Sequence, residues 1–409
     1  MRDLRVVETY KTRGFKSVWT IGTLNSFCRY FEVLVSTVVI FQISGSALVV
    51  AINASLRVAP LLLFGWIIGR ISDSIERRYL MLLSSIIFSV SSLVAFILMF
   101  SGVITAWHLL IISFASGIGW SLEFPSRRSF IGDLLSDKNR SLGIGLDMMS
   151  SNIGRLAGPV IAGLTIDYLV EFSFLFSMSL YLVSVIISLS LFNLEGRFAS
   201  NVQLPKEQAR SNPFRLLISN NMYRTVLVVT VVFNVWGVPT FSMVPVIAEN
   251  LLSINATLLG ILVGAEGAGS LLGSIAIAGV RNRKLQSFLF IFGASLFLVC
   301  IFLFSLSEIY LLSLVLLFFG GLGISGFSTM QSVIIVDRTR SDLRGSALGY
   351  LSTTIGTQPI GALNVGFTCS IFLPQIGVRI SAIEGIVFMI LLISASNYWE
   401  YKKKFNLKI

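Results

Sequence analysis

The sequence predicts an all-α, polytopic membrane protein: twelve transmembrane helices arranged as two parallel six-helix repeats. Three observations carry that expectation. Of 409 residues, 55% are hydrophobic and only 12% are Asp, Glu, Lys or Arg, about half the charge of an ordinary soluble domain. The basic residues fall on alternate segments between apolar windows, and the chain matches itself when shifted by half its length.

One membrane-crossing helix takes roughly 20 apolar residues, so twelve take about 240. What is left suffices for helix ends, short loops and a small linker, and excludes a further domain. Apolar windows bounded by charge or turn residues place the spans at 18–43, 47–69, 79–100, 106–126, 142–166, 172–193, 225–248, 257–280, 285–305, 310–335, 346–370 and 376–399. The basic segment Met1 to Lys16 precedes an apolar run too long for a signal-peptide core. It is therefore read as leading into an uncleaved first helix.

With the N-terminus placed in the cytoplasm, 27 of the 31 Lys and Arg fall on the inner side. The other four, Arg29, Arg57, Arg155 and Arg379, lie within or at the outer ends of spans. The outer loops carry Asp167, Glu171, Glu249 and Glu308 and no Lys or Arg. A missed or invented span would invert this alternation for everything after it, so the bias predicts twelve spans, both termini cytoplasmic, in the plasma membrane. The formal charge of +11 then reads as an orientation signal and a contact with anionic lipid, not as a nucleic-acid footprint.

At an offset of 204 residues, Gly65 meets Gly269, Gly69 meets Gly273, Arg77 meets Arg281, Gly117 meets Gly321 and Gly119 meets Gly323. Asp133 and Arg140 meet Asp337 and Arg344, and Gly145 meets Gly349. One register thus runs from the second span to the fifth and from the eighth to the eleventh. The expected organisation is a first half at 1–193, a polar cytoplasmic linker at 194–222, and a second half at 223–409 ending in a short basic tail. Parallel repeats of this kind place a substrate site at their interface near the bilayer midplane.

The loop after the second span reads Gly69-Arg-Ile-Ser-Asp73-Ser-Ile-Glu-Arg77-Arg78, and the fifth span reads Asn152-Ile-Gly154-Arg155-Leu-Ala-Gly158-Pro159-Val-Ile-Ala-Gly163. With Gln42-Ile-Ser-Gly45-Ser46-Ala47 they resemble the loop and Gly-Pro motifs of the major facilitator superfamily, and within it the twelve-helix exporters of drugs, macrolides and siderophores. The loop departs from the family pattern at Ser74, where a basic residue is usual, and at Glu76, where glycine is usual. The resemblance implies that Asp73 faces the start of the eleventh helix near Gly345, latching the inside closed with Arg77 and Arg78 beside it. It also implies an acidic residue where Arg29 stands. Independently of any family, glycines four apart at 65/69, 154/158 and 269/273 leave a face on which another helix can approach closely and slide. Pro159 removes a backbone hydrogen bond and permits a bend.

Ionisable groups at membrane depth are costly and are functional candidates. At ~1.5 Å per residue, Arg29 and Glu32 lie about 18 and 21 Å from the inner end of the first span. Arg57, Arg155, Glu266 and Glu384 also fall in the central part of their spans. Arg29, Glu32, Arg57, Arg155 and Glu266 are the expected substrate- and proton-binding set, with Glu32 alternating between an arginine, Arg29 or Arg155, and a proton or a cationic substrate. The expected gating set is Gly69, Asp73, Arg77, Arg78, Asp133, Arg140, Gly154, Gly158, Pro159, Asp337 and Arg344. Glu123 and Arg127, four apart, suggest a local pair, and His108 beside Trp107 suggests an interfacial position.

No phosphate-binding Gly-x4-Gly-Lys-Ser/Thr loop occurs. One histidine and three scattered cysteines, Cys28, Cys300 and Cys369, offer no catalytic set, zinc site or redox pair. No enzymatic activity and no cofactor are expected. The leading expectation is a monomeric secondary exporter of small amphipathic or organic molecules, with protons as the coupling ion. Its competitors are an importer or facilitator of a polar or anionic metabolite, and a transporter-like receptor or assembly protein that no longer transports.

Overall fold

In a computed structural model, the described residues are 9, 10, 12, 14–135, 137–193, 221–277, 280, 282–338, 350, 351 and 353–406. Among these, the side chains of 65–74, 125, 129, 133, 137, 138, 140, 141, 144, 221, 336–338 and 395–406 lie outside the description. Every predicted span falls on helix over most of its described residues, the eleventh, at 346–370, being described as one continuous helix only from Gln358. The helices are α1 (Phe15–Ser44), α2 (Ala47–Ser74), α3 (Arg77–Phe100), α4 (Ala106–Leu134), α5 (Asp137–Leu169), α6 (Ser173–Ser190), α7 (Asn221–Val232), α8 (Ala256–Ile277), α9 (Arg283–Phe304), α10 (Tyr310–Arg338), α11 (Gln358–Ile371) and α12 (Pro374–Asn406). Ten stretches of the described residues are long and apolar enough to cross a membrane, and one of them, Gly145–Asn193, takes in α5 from Gly145 onward and all of α6. The helices outrun the apolar windows at several ends because backbone hydrogen bonding continues into the polar boundary after the apolar side chains stop.

The turns have local causes. Gly45 takes a left-handed conformation (φ 61°) after α1, and its N–H donates to the Phe41 carbonyl. Gly102 (φ 70°) does the same service between α3 and α4. His108 joins a capping box with Thr105 at the start of α4, where the Thr105 N–H donates to His108 Nδ1 at 3.1 Å. The seventh span is the irregular one. It continues from α7 through a π-helical turn at Phe233–Gly237, short α-helical pieces at Val238–Phe241 and Val244–Ile247, and a second π-helical turn at Ala248–Leu252. Pro239 and Pro245 each lack an N–H and crowd the carbonyl four residues back, Val235 and Phe241, so the helix is rewound at both places.

The internal repeat seen in sequence recurs in packing. In the first repeat, a Cβ added at Gly158 on α5 would lie 2.8 Å from the Phe31 backbone nitrogen on α1; in the second, Gly361 on α11 meets the Val235 backbone in the seventh span. Phe31 and Val235 are 204 residues apart. Gly117 of α4 lies on the Arg57 backbone of α2, and its repeat partner Gly321 of α10 lies on the Glu266 backbone of α8. The two repeats meet along α5 with α8 and α2 with α11, pairings that exchange when the repeats are exchanged. Large apolar side chains such as Ile111, Ile186 and Leu311 are exposed on the outside of the bundle, where lipid would cover them. The end where α1, α3 and α5 finish is called distal below, and the opposite end basal.

Candidate functional site

The charged side chains sort into four groups along the bundle. Nearest the basal end, α4 and α5 bring together Glu123, Arg127, Arg128 and Asp147. Arg127 Nε lies 3.5 Å from Glu123 Oε1, one turn away on the same helix, and its NH1 lies 3.1 Å from Asp147 Oδ1. Arg128 reaches Asp147 Oδ2 at 3.8 Å and lies over the Phe124 ring. Asn25 of α1 donates to Glu123 Oε1 at 3.4 Å. Arg127 has room only because Gly22 stands opposite: a Cβ there would collide with its guanidinium. The Glu123 to Arg127 pair is the local helix contact its spacing suggested. Its extension to Asp147, which ties α4 to α5, was not.

The second group surrounds Glu32 and lies wholly within the first repeat. Ser177 of α6 donates its hydroxyl to Glu32 Oε1 at 2.7 Å, and Ser92 of α3 donates to the same oxygen. Arg57 of α2 is the guanidinium whose charge acts on Glu32, although no ion pair forms between them, and it donates to Ser113 of α4 at 3.2 Å. Glu32 is buried, with a relative exposure of 4%. Neither Arg29 nor Arg155 is its partner, which corrects the pairing expected from sequence. The physical reason is rotation about the helix axis: positions 29 and 32 lie about 60° apart around α1 at 3.6 residues per turn, and its packing sends Glu32 toward α3 and α6 and Arg29 toward α4.

The third group spans the two repeats. Arg155 NH1 on α5 lies 3.3 Å from Glu266 Oε1 on α8. Glu266 is fully buried, and neither carboxylate oxygen receives a hydrogen bond, so among the described residues Arg155 is its whole compensation. Arg155 also lies over the Tyr30 ring of α1 at 5.4 Å. Small residues make the approach possible: a Cβ at Gly267 would lie 2.6 Å from the Leu156 nitrogen, and Gly154 similarly touches the Ser26 and Phe27 backbone of α1. Pro159 sits inside an unbroken α5, with its carbonyl against Gly260 of α8. The Gly154/Gly158/Pro159 face is thus used twice, toward α1 by its glycines and toward α8 by the proline carbonyl.

The fourth group closes the distal end of the same α5–α8 seam. Asp167 accepts the Ala256 N–H at 2.9 Å on Oδ1 and the Thr257 N–H at 2.7 Å on Oδ2. The next free donor of α8, Leu258 N–H, is taken by Asn255 Oδ1 at 2.9 Å, and Leu259 N–H by the Asn255 carbonyl. Three donors that the helix start leaves open, those of Ala256, Thr257 and Leu258, are thus satisfied, two of them from the other repeat, and the Leu259 bond is the first of the helix itself. Asn152 and Ser274, at 3.2 Å, extend the seam toward the basal end.

Arg29 stands apart. Its guanidinium lies 4.6 Å from the Trp120 ring centroid of α4 and 4.9 Å from that of Tyr30, with no carboxylate in ion-pair range among the described residues. Arg77 and Arg78 are buried at the start of α3. Arg78 pairs with Glu76, donating from Nε at 2.6 Å, and with the Leu191 carbonyl at 3.1 Å. Glu76, the residue that departs from the family loop pattern, is therefore the counter-ion of Arg78. Glu384 accepts from Trp236 Nε1 at 2.9 Å and joins α12 to the seventh span. Gly69, Asp73, Asp133, Arg140, Asp337 and Arg344 lie outside the residues whose side chains are described. Among the described residues no group of His, Cys, Asp and Glu is arranged to hold a metal.

The family described as transmembrane secretion effector, a major facilitator family, matches residues 8–401. No curated protein matches the chain. Among solved structures, a bacterial homolog of the human lysosomal transporter Spinster, inward-facing and unoccupied, is similar at a TM-score of 0.71 and 15% identity, covering 94% of this chain and 95% of its own. The nucleoside transporter NupG is similar at 0.68 and 12%, covering 93% and 98%. The human organic anion transporter MFSD10 (TETRAN) is similar at 0.67 and 13%, covering 93% and 99%. At these identities the likeness is one of fold.

Proposed function

Because the chain belongs to the transmembrane secretion effector family of the major facilitator superfamily, we propose that this membrane transporter is a proton-driven exporter of small amphipathic organic molecules. It sits in the plasma membrane with its distal end outside. The observation that carries the coupling is the ion pair of Arg155 and Glu266 across the α5–α8 seam. Alternating access in parallel repeats is largely a rocking of one repeat on the other, so contacts across the seam are the ones that change. Opening the distal end draws Glu266 from the group that compensates it among the described residues. A bare carboxylate in the wall formed by Gly264, Ala265, Gly267 and Ala268 is too costly to persist, so it takes a proton from the outer side. Closing the seam returns Arg155 to Glu266 and expels the proton inward. Glu32 is a poorer coupling group, because its partners Ser92, Ser177 and Arg57 move with it.

The test uses inverted membrane vesicles carrying a proton gradient, acid inside, and a panel of aromatic amines, amides and carboxylates. Addition of a transported compound dissipates the gradient in vesicles with the wild-type chain, and fails to do so with Glu266→Gln. Accumulation that proceeds equally with and without the gradient would defeat proton coupling. A second reading, facilitated or inward transport of an anionic metabolite, is favoured by the uncompensated Arg29, and uptake into right-side-out vesicles that is indifferent to the gradient would select it.

A further inference from the structure

The charges of the central bundle nearly cancel, and the residue left over is Arg29. Among the described side chains, the first three groups above together with Arg29 hold the guanidiniums of Arg29, Arg57, Arg127, Arg128 and Arg155 and the carboxylates of Glu32, Glu123, Asp147 and Glu266. Arg155 is matched by Glu266, Arg127 and Arg128 by Glu123 and Asp147, and Arg57 by the field of Glu32. Arg29 has none of them among the described residues.

Its surroundings are aromatic. Trp120 and Phe124, one turn apart on α4, meet edge to face at 6.0 Å between centroids. Arg29 lies over the Trp120 end of this wall, and Arg128 over the Phe124 end at 3.9 Å. Tyr30, shared between Arg29 and Arg155, closes the side toward the other repeat. Arg29, Tyr30, Trp120, Phe124 and Arg128 are all half-buried. Arg155, which touches the same Tyr30 ring, reaches Glu266 of the opposite repeat, so this cluster lies beside the α5–α8 seam. Two cation–π contacts contribute about 1 to 4 kcal/mol together. That falls short of what a guanidinium near the midplane needs, and its half-buried position leaves it able to take a further partner.

From this arrangement we infer that Arg29, Tyr30, Trp120 and Phe124 form a binding subsite for an organic monoanion bearing an aromatic ring, of the aromatic carboxylate type. The anionic group meets Arg29, and the ring lies along the Trp120–Phe124 wall. The single guanidinium of Arg29, without a carboxylate partner among the described residues, selects a monoanion over a neutral molecule or a cation. The inference rests on the transport reading only in taking the space between repeats as accessible.

The probe is 1-naphthoate, compared with the neutral isostere 1-naphthamide, each titrated by calorimetry against the purified full-length protein in a neutral detergent without any gradient. The wild type binds naphthoate at least tenfold more tightly than naphthamide. Arg29→Gln brings that ratio to about one, Arg29→Lys keeps most of it, and Trp120→Leu weakens both probes by a similar factor. A ratio near one in the wild type, or an unchanged ratio in Arg29→Gln, overturns the inference. If Arg29→Gln does not fold, the comparison of wild type, Arg29→Lys and Trp120→Leu decides: a naphthoate preference that survives Trp120→Leu with both affinities unchanged also overturns it. Since no gradient is present, loss of proton coupling leaves this result standing, and loss of the anion preference leaves the coupling reading standing.

Discussion

Asp167 is the most exposed of the groups that hold the two repeats together, and its contribution can be sized. It accepts two backbone N–H groups at the start of α8, at 2.9 and 2.7 Å. Loss of a capping carboxylate costs about 1 kcal/mol. The favourable field of the helix N-terminus adds about 0.3 kcal/mol more at an exposed, salt-screened site. Since 1.4 kcal/mol is a factor of ten, Asp167→Ala should lower the ratio of distally closed to distally open molecules about five- to tenfold. Single-molecule energy transfer reads this ratio from dyes on cysteines at Glu171 and Glu308, in a chain whose three native cysteines are replaced by serine. Asn255→Ala is the control. It removes a cap of the same helix from within its own repeat, so it lowers stability without moving the distribution. An unchanged distribution in Asp167→Ala, or an equal shift in Asn255→Ala, would refute the reasoning.

Three further outcomes follow from the same geometry. Cysteines at Glu171 and Glu308 should react with an impermeant thiol reagent from outside intact cells, and cysteines at Ser211 and Thr339 should not; labelling of Ser211 from outside contradicts the twelve-span orientation. In a double-mutant cycle read by thermal unfolding, Arg155→Ala should cost about 3 kcal/mol, because it strands a buried carboxylate, while Arg155→Ala with Glu266→Ala should cost less than Arg155→Ala alone. Gly158→Leu should abolish accumulation of folded protein, since its Cβ would press on the Phe31 and Phe27 backbone, whereas Gly145→Ala, with nothing within 4 Å of its Cβ, should leave abundance unchanged; equal abundance of the two variants on a membrane immunoblot would count against the packing argument.

Span number, repeat register and the glycine face of α5 were legible in the sequence because each depends on a long-range pattern that a single residue cannot disturb. The partners of the buried charges were not. Arg29 and Glu32 are three apart and share a helix face only loosely; which neighbour each meets depends on a rotation of α1 that apolar windows leave free. The Arg155–Glu266 pair was hidden for a different reason: its members belong to opposite repeats, and the contact depends on how the repeats dock. Ser92 and Ser177 gave no signal either, since buried serines are abundant in this bundle and most donate to carbonyls three or four residues back. Two signals were readable with hindsight. Asp167 follows the last apolar turn of α5, as a residue free to cap another helix would. Glu76 breaks the family loop pattern two residues before an arginine, which is the spacing of the pair it forms with Arg78.

Glu32 and Glu266 are both buried glutamates near the same depth, and their difference lies in which bodies hold them. A rigid rocking motion preserves every distance within a repeat and alters only those between repeats, so a group can respond to it only through partners on the other side. Glu32 is held by hydroxyls from α3 and α6 of its own repeat, and hydrogen bonds to a charged group contribute about 1.5 to 3 kcal/mol each. Glu32→Gln keeps an oxygen that accepts both hydroxyls and removes only the charge-assisted part of that contribution, equally from both conformations. It should therefore lower Tm while leaving turnover and the distal open-to-closed ratio close to wild type. Glu266→Gln removes an attraction present only while the seam is closed, so it should shift that ratio and uncouple transport even where Tm changes little. Turnover that falls with Glu32→Gln while the ratio shifts would mean that the first repeat does not move as one body, and the assignment of coupling to the α5–α8 seam would fall with it.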